Sequence, residues 1–274
     1  MPTTIPPPGS TSPAKTTPQS SSKPTLIEGV NVKAHKAVVY AAGGLGKTEL
    51  CSANVKQLGL VPLVLDLDDE SKFLDVKRYN LTTFDDLRST IHDESVWKGI
   101  DVAVIDSFTK AEELAAEWVI RNVKHEKQKP ISSIEDYGFG KGYTHIYEAF
   151  LLLLGDLDGL VRKGIHVLCT AHDCAERVPN AEGEDYLQYQ PRLQSPNKQG
   201  KIRERVKEWC DHMLHIDFDT HVTDGKVQGS GSRTIYAYGT PTRWAKSRMG
   251  IDPVVYEKGS AKIWEMILQG KSQD

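Results

Sequence analysis

Short, almost unbroken apolar runs alternate along this chain with longer segments of amphipathic spacing. Residues 37–40, 61–66, 101–107 and 165–171 are the runs. Each is the length of a strand, and continuous apolar character marks strands buried on both faces of a parallel sheet. Between them, residues 48–58 carry a helical pattern with Gly59 as its stop. Residues 82–92 carry another, with Thr82 or Thr83 as its cap. Longer helices are predicted over 110–124, where Leu114, Trp118 and Val119 share a side, and over 144–162. The alternation predicts an α/β fold with a mainly parallel central sheet flanked by helices.

Downstream, residues 173–200 read as a long polar loop and 201–212 as a helix. Residues 213–218 and 234–238 read as strands joined by a Gly-rich hairpin, a C-terminal β-hairpin extension. A basic stretch at 244–250 precedes a closing helix over 262–268. Residues 1–24, rich in Pro, Ser and Thr, lack the apolar side chains to offset ordering entropy. They are expected to be a disordered tail, with one folded domain over 25–274.

Composition narrows the class without naming it. The hydrophobic share of 39% and charged share of 26% are those of a soluble globular protein. No run approaches the roughly 18 apolar residues of a membrane helix, and the N-terminus has no apolar leader pattern. A cytoplasmic location without membrane contact is therefore expected. Cys51, Cys169, Cys174 and Cys210 are too scattered for a disulfide framework. Cys174, Cys210, His172, His212 and His215 are metal-ligating types, but no close Cys-x-x-Cys pair accompanies them. Net charge is −3 with a pI near 6.3. Bulk charge thus does not advertise nucleic-acid binding, and any such contact has to be local.

Chemistry concentrates where the apolar runs end. Val38 to Tyr40 runs into Ala41-Ala42-Gly43-Gly44-Leu45-Gly46-Lys47-Thr48-Glu49. This is the strand–turn–helix layout of G-x-x-x-x-G-K-[ST], with Ala41 in place of the first glycine. Backbone N–H groups of residues 42–49 would cradle phosphates, Lys47 would reach the β- and γ-phosphates of ATP, and Thr48 would hold Mg²⁺. Alanine at 41 would be strained were φ positive there. The third run ends in Asp106-Ser107, an acid suited to the Mg²⁺ site. The second leads into Asp66, Asp68, Asp69 and Glu70, of which Asp68 or Glu70 would orient the attacking water; spacing does not choose between them. The fourth ends at His172, placed to touch the γ-phosphate.

This ordered set resembles RecA-like ATPases. It is most similar to phage-encoded AAA-domain ATP-binding proteins of the single-strand annealing and recombination type. The resemblance rests on residues 40–48, Val104-Ile105-Asp106-Ser107, Glu135-Asp136-Tyr137-Gly138, Thr170-Ala171-His172 and Ala245-Lys246-Ser247-Arg248-Met249-Gly250. It implies ATP and Mg²⁺ as cofactors and catalytic roles for Lys47, Asp68 or Glu70, Asp106 and His172. Lys246 and Arg248 would enter a neighbouring subunit's site, which implies self-association as a ring or filament. Single-stranded DNA would lie on the segments 125–142 and 174–207, with Arg192, Lys198, Lys201, Arg203 and Arg205 meeting phosphates. A phage-encoded chain would work in the host cytoplasm. Two alternatives stay open: an ATP-switched DNA-binding module that barely hydrolyses, and a small-molecule P-loop kinase.

Overall fold

The computed structural model describes residues 32–196, 200–223 and 226–269. The expected 1–24 tail lies outside them. In chain order the elements are β1 (Lys36–Ala41), α1 (Lys47–Cys51), β2 (Pro62–Asp66), β3 (Lys77–Asn80), α2 (Phe84–His92), β4 (Val102–Asp106), α3 (Phe108–Asn122) and α4 (Lys141–Arg162). There follow β5 (His166–Val178), β6 (Tyr186–Pro191), α5 (Ile202–Trp209), β7 (His212–Thr223), β8 (Lys226–Tyr236), β9 (Lys246–Ser247), β10 (Val254–Val255) and α6 (Lys262–Gln269).

The sheet runs β10-β8-β7-β1-β5-β4-β2-β3. All neighbours from β7 to β3 pair in parallel. The hairpin of β7 with β8 adds an antiparallel margin, extended by β10. Side-chain alternation divides the central strands between two cores. Val38 and Tyr40 of β1 join Ala103 and Ile105 of β4 under α2 to α5. Ala37, Val39 and Ala41 join Val102 and Val104 against α1 and α6. Burying each larger apolar side chain stabilises the fold by about 2 kcal/mol. Two-sided burial is why these strands read as unbroken apolar runs.

Three departures from the sequence reading bear on the site or its surroundings. The helix expected over 48–58 is broken: α1 ends at Cys51, and a 3₁₀ turn follows over Asn54–Leu58. Trp264 of α6 explains the break, because its indole N–H donates to the Leu50 carbonyl at 2.7 Å. That carbonyl would otherwise have accepted from residue 54. Gly59 does close the segment, at φ 77°. Strand β3 went unread because all of its residues are exposed and leave no apolar signature. Most consequentially, β5 does not stop at His172 but continues to Val178, and β6 returns antiparallel along it. The supposed long loop is largely a projecting β-hairpin. Its Asp, Glu, Arg and Gln side chains, on one largely exposed and one half-buried face, carry no strand-like alternation.

Candidate functional site

At the C-terminal end of β1 the chain turns through Gly44 and Gly46, both with left-handed φ (79° and 87°). Gly46 is doubly constrained. A Cβ there would sit 3.0 Å from the Tyr256 hydroxyl and 3.2 Å from the Arg233 guanidinium. Ala41 belongs to β1 and is not among the residues of positive φ. The strain that alanine would have met therefore does not arise. Lys47 is 8% exposed, with Nζ donating to the Ala41 and Ala42 carbonyls at 3.0 and 2.9 Å. An ammonium has three N–H bonds, so one remains for a phosphate oxygen. Burial pushes its pKa below the usual lysine range, while Asp106, Glu70 and Asp173 oppose that shift.

Strand β5 lies between β1 and β4. Thr170 of that middle strand donates its hydroxyl to Asp106 Oδ1. The Thr48 hydroxyl faces the same carboxylate, yet Asp106 Oδ2 is buried without a partner in hydrogen-bonding geometry. Burial holds this acid above the ordinary carboxylate range, against the two threonine hydroxyls. A buried, unsatisfied carboxylate oxygen beside a threonine hydroxyl fits a hard divalent cation that keeps most of its waters. Thr48 and Asp106 would hold Mg²⁺ there, and the cation would neutralise phosphate charge. Among the described residues no group of three or more His, Cys, Asp or Glu is placed to hold a metal.

The acidic segment after β2 is now sorted by geometry. Asp66 is fully buried and accepts from the backbone N–H of Asp68, Glu70 and Ser71 and from the Ser71 hydroxyl. It shapes the turn. Asp68 accepts from Ser107 Oγ at 3.3 Å. Burial raises its pKa, and Lys110 pulls it back. Glu70 lines the cleft together with Gly43, Gly44, Gly46, Lys47, Thr48 and His172. Burial and the nearby Lys47 and Arg192 charges hold His172 below the ordinary histidine range. The neutral imidazole is thus favoured.

Sequence reasoning missed two contributors. Arg233 of β8 donates to the Leu45 carbonyl at 2.9 Å and lies over the Tyr256 ring. Tyr256 in turn donates its hydroxyl to the Gly46 carbonyl at 3.1 Å. Together they brace the outer wall of the phosphate loop. No local signal marks either residue; only the pairing of β10 with β8 delivers them.

Lys246 and Arg248 are elsewhere. Lys246 pairs with Met213, which is level with Val38 on β1, and Ser247 is level with Ala37. The chain there runs away from the phosphate loop. At about 3.3 Å per residue, Arg248 lies roughly 16 Å below Ala41 along the strand direction. It is exposed and paired with Asp211 at 3.1 Å. It therefore cannot serve its own subunit's phosphates.

Burial divides the basic set. Arg203 is 8% exposed, with its guanidinium bonded to the Leu193 carbonyl, Gln190 and Glu176. It fastens α5 to the hairpin and is almost closed to solvent. Its burial and its engaged guanidinium weigh against the expected contact with DNA. Lys201 and Arg205 are exposed, each beside a glutamate one turn on. Lys198 lies outside the described residues. Arg192 stands next to His172.

The helix after Asp106 carries a titratable contact. Glu112 accepts from the Gln194 backbone N–H at 2.8 Å, and burial pushes its pKa up to about 7. A raised carboxylate pKa means the fold prefers the proton. That stability is complete below the ordinary glutamate pKa and disappears as pH rises through 7. From pH 5 to 8 the wild type should lose up to about 3 kcal/mol relative to Glu112→Gln. Parallel denaturation curves for the two proteins check this.

One strand, β5, is inserted between the phosphate-loop strand and the acid strand, an order consistent with the resemblance to RecA-like P-loop NTPases. The AAA domain model matches residues 33–249, and the chain belongs to that family. No curated protein matches the sequence. Among solved structures it is similar to the flagellar accessory protein FlaH from Methanocaldococcus jannaschii. The identity is 10% and the TM-score 0.38, over 81% of this chain and 89% of that one. No helix among the described residues is long and apolar enough to cross a membrane.

Proposed function

We propose that this protein is a Mg²⁺-dependent ATPase whose nucleotide state is passed to a single-stranded DNA-binding hairpin. The observation that carries the reading is the continuity of β5. One strand holds Thr170 against Asp106, presents His172 to the phosphate cleft, and runs on as one arm of the projecting hairpin. A change at the γ-phosphate is thereby mechanically joined to the hairpin.

Residues Ala175 and Arg177 face Tyr189 and Leu187 across that hairpin, and all four are exposed. A cation beside apolar and aromatic side chains suits a single strand, through phosphate contact and base stacking. Tyr40, directly before the loop, adds a second connection. Its hydroxyl lies 3.0 and 2.9 Å from the carbonyls of Tyr189 and Trp244. Strand β1 thus touches both the hairpin and the segment leading to Lys246.

Glu70 is the carboxylate best placed to orient water, since Asp66 is engaged in its turn and Asp68 by Ser107. Self-association would supply Lys246 and Arg248 to a neighbour's cleft, in service of recombination, annealing or replication. Engagement of Asp66 at the strand end also favours a second reading, a slow or non-hydrolysing ATP switch. ATP turnover with and without a single-stranded oligonucleotide tests both. The expected result is turnover stimulated by DNA, with DNA affinity falling as salt rises. Tight ATP binding without turnover selects the switch. Turnover indifferent to DNA removes the DNA-coupled role.

A further inference from the structure

The β5–β6 register can be continued one step toward the nucleotide cleft. Asp173 pairs with Pro191, so His172 stands opposite Arg192, whose N–H donates to the His172 carbonyl at 2.8 Å. The reciprocal ladder bond is replaced by a side chain. Thr109, in the first turn of α3, accepts from the His172 N–H at 3.0 Å and donates to the Arg192 carbonyl at 3.4 Å. The pair is therefore tied to the helix that begins directly after Asp106.

Alternation fixes the direction of the side chains. The next residues inward, Ala171 and Leu193, both lie in the core under α2 to α5. Opposed residues of an antiparallel pair share a face, and successive residues alternate. His172 and Arg192 consequently share the opposite face, the side of the second core, which contains Leu45 and Leu50 of the phosphate loop and α1. His172 lines the cleft with Lys47 and Glu70. Arg192 is exposed, and among the described residues its guanidinium has no hydrogen-bond or ion-pair partner. Backbone bonds hold the segment below it: Gln194 N–H to Glu112, and the Leu193 carbonyl to Arg203. Its main chain is fastened while its charged end is left open.

We propose that Arg192 contacts the γ-phosphate of the nucleotide bound on its own subunit's phosphate loop, forming with His172 a pair that distinguishes triphosphate from diphosphate. This rests on the reading of residues 42–49 as a nucleotide site and assigns Arg192 away from DNA. A guanidinium offers planar, paired donors to a terminal phosphate that a diphosphate lacks. Its charge already acts on His172 alongside that of Lys47. Arg192 directly follows β6, so the contact would join the γ-phosphate to the end of the hairpin's return arm.

The test compares affinities for ADP and for a non-hydrolysable imido analogue of ATP, both with Mg²⁺, in wild type, Arg192→Ala and Arg192→Gln. The expected result is a loss of about tenfold or more for the triphosphate analogue in both variants, with ADP affinity within about twofold of wild type. A triphosphate-to-diphosphate ratio that is unchanged in the variants overturns the assignment. So does an equal loss for both nucleotides, which would mark a structural role. A wild type that binds neither nucleotide removes the nucleotide-site reading itself. That result is distinguishable because it is seen before any variant is made.

Discussion

Lys47→Ala is expected to abolish nucleotide binding at ordinary assay concentrations, a loss of at least about a hundredfold. The Lys47 ammonium is held by the Ala41 and Ala42 carbonyls, which leaves its third N–H for a phosphate oxygen. Removing the ammonium removes a preorganised, partly desolvated charge from the place where phosphate charge collects. The neighbours left behind, Asp106 and Glu70, are acidic and repel the nucleotide further. The fold should survive, because Ala42, which carries one of the two accepting carbonyls, is exposed to water. Titration calorimetry with ATP and Mg²⁺, beside a circular dichroism melt, separates lost binding from lost folding. Retained affinity in a folded variant would mean that the loop does not grip phosphate through this lysine.

Arg248→Ala is expected to spare ATP binding and reduce turnover by about a thousandfold, the scale of an arginine supplied to phosphoryl transfer. The strand register puts this side chain at the wrong end of β1 for its own site. Its ion pair with Asp211, at 3.1 Å with the arginine largely exposed, contributes little and would yield readily to a phosphate. Mixing makes the prediction sharper. An Arg248→Ala subunit keeps an intact phosphate loop, and a Lys47→Ala subunit keeps an intact Arg248. In a head-to-tail assembly, an equal mixture of the two inactive variants should recover roughly a quarter of wild-type turnover. Absence of recovery, or unimpaired turnover in Arg248→Ala alone, would remove the shared-site model.

The basic residues show how far linear reading reached. Arg203 and Arg205 are two positions apart on α5, yet one is buried against Leu193, Gln190 and Glu176 and the other is on the surface. On a helix, residues two apart point in different directions, so charge density along the sequence does not translate into a charged face. Arg192 was grouped with them by proximity in the chain. The hairpin that carries it across from His172 was invisible, because a solvated ribbon of Asp, Glu, Gln and Arg has no apolar period.

The sequence by itself determined the parallel sheet and placed the candidate site residues at its strand ends. Strands buried on both faces must be apolar throughout, and the turns at their ends must be polar, so both are written in the local order of residues. The phosphate loop, Thr48, Asp106 and His172 belong to this legible part. Tertiary structure alone decided how those ends are combined. Strand order put Thr170 against Asp106, leaving Oδ2 free to meet a cation. The β10–β8 pairing brought Arg233 and Tyr256 to the loop from about two hundred residues away in the chain. Burial engaged Asp66 and left Glu70 at the cleft. Contacts between residues distant in sequence depend on register, strand order and competition for hydrogen bonds. None of these has a local signature, and they choose which of several chemically equivalent residues faces the ligand.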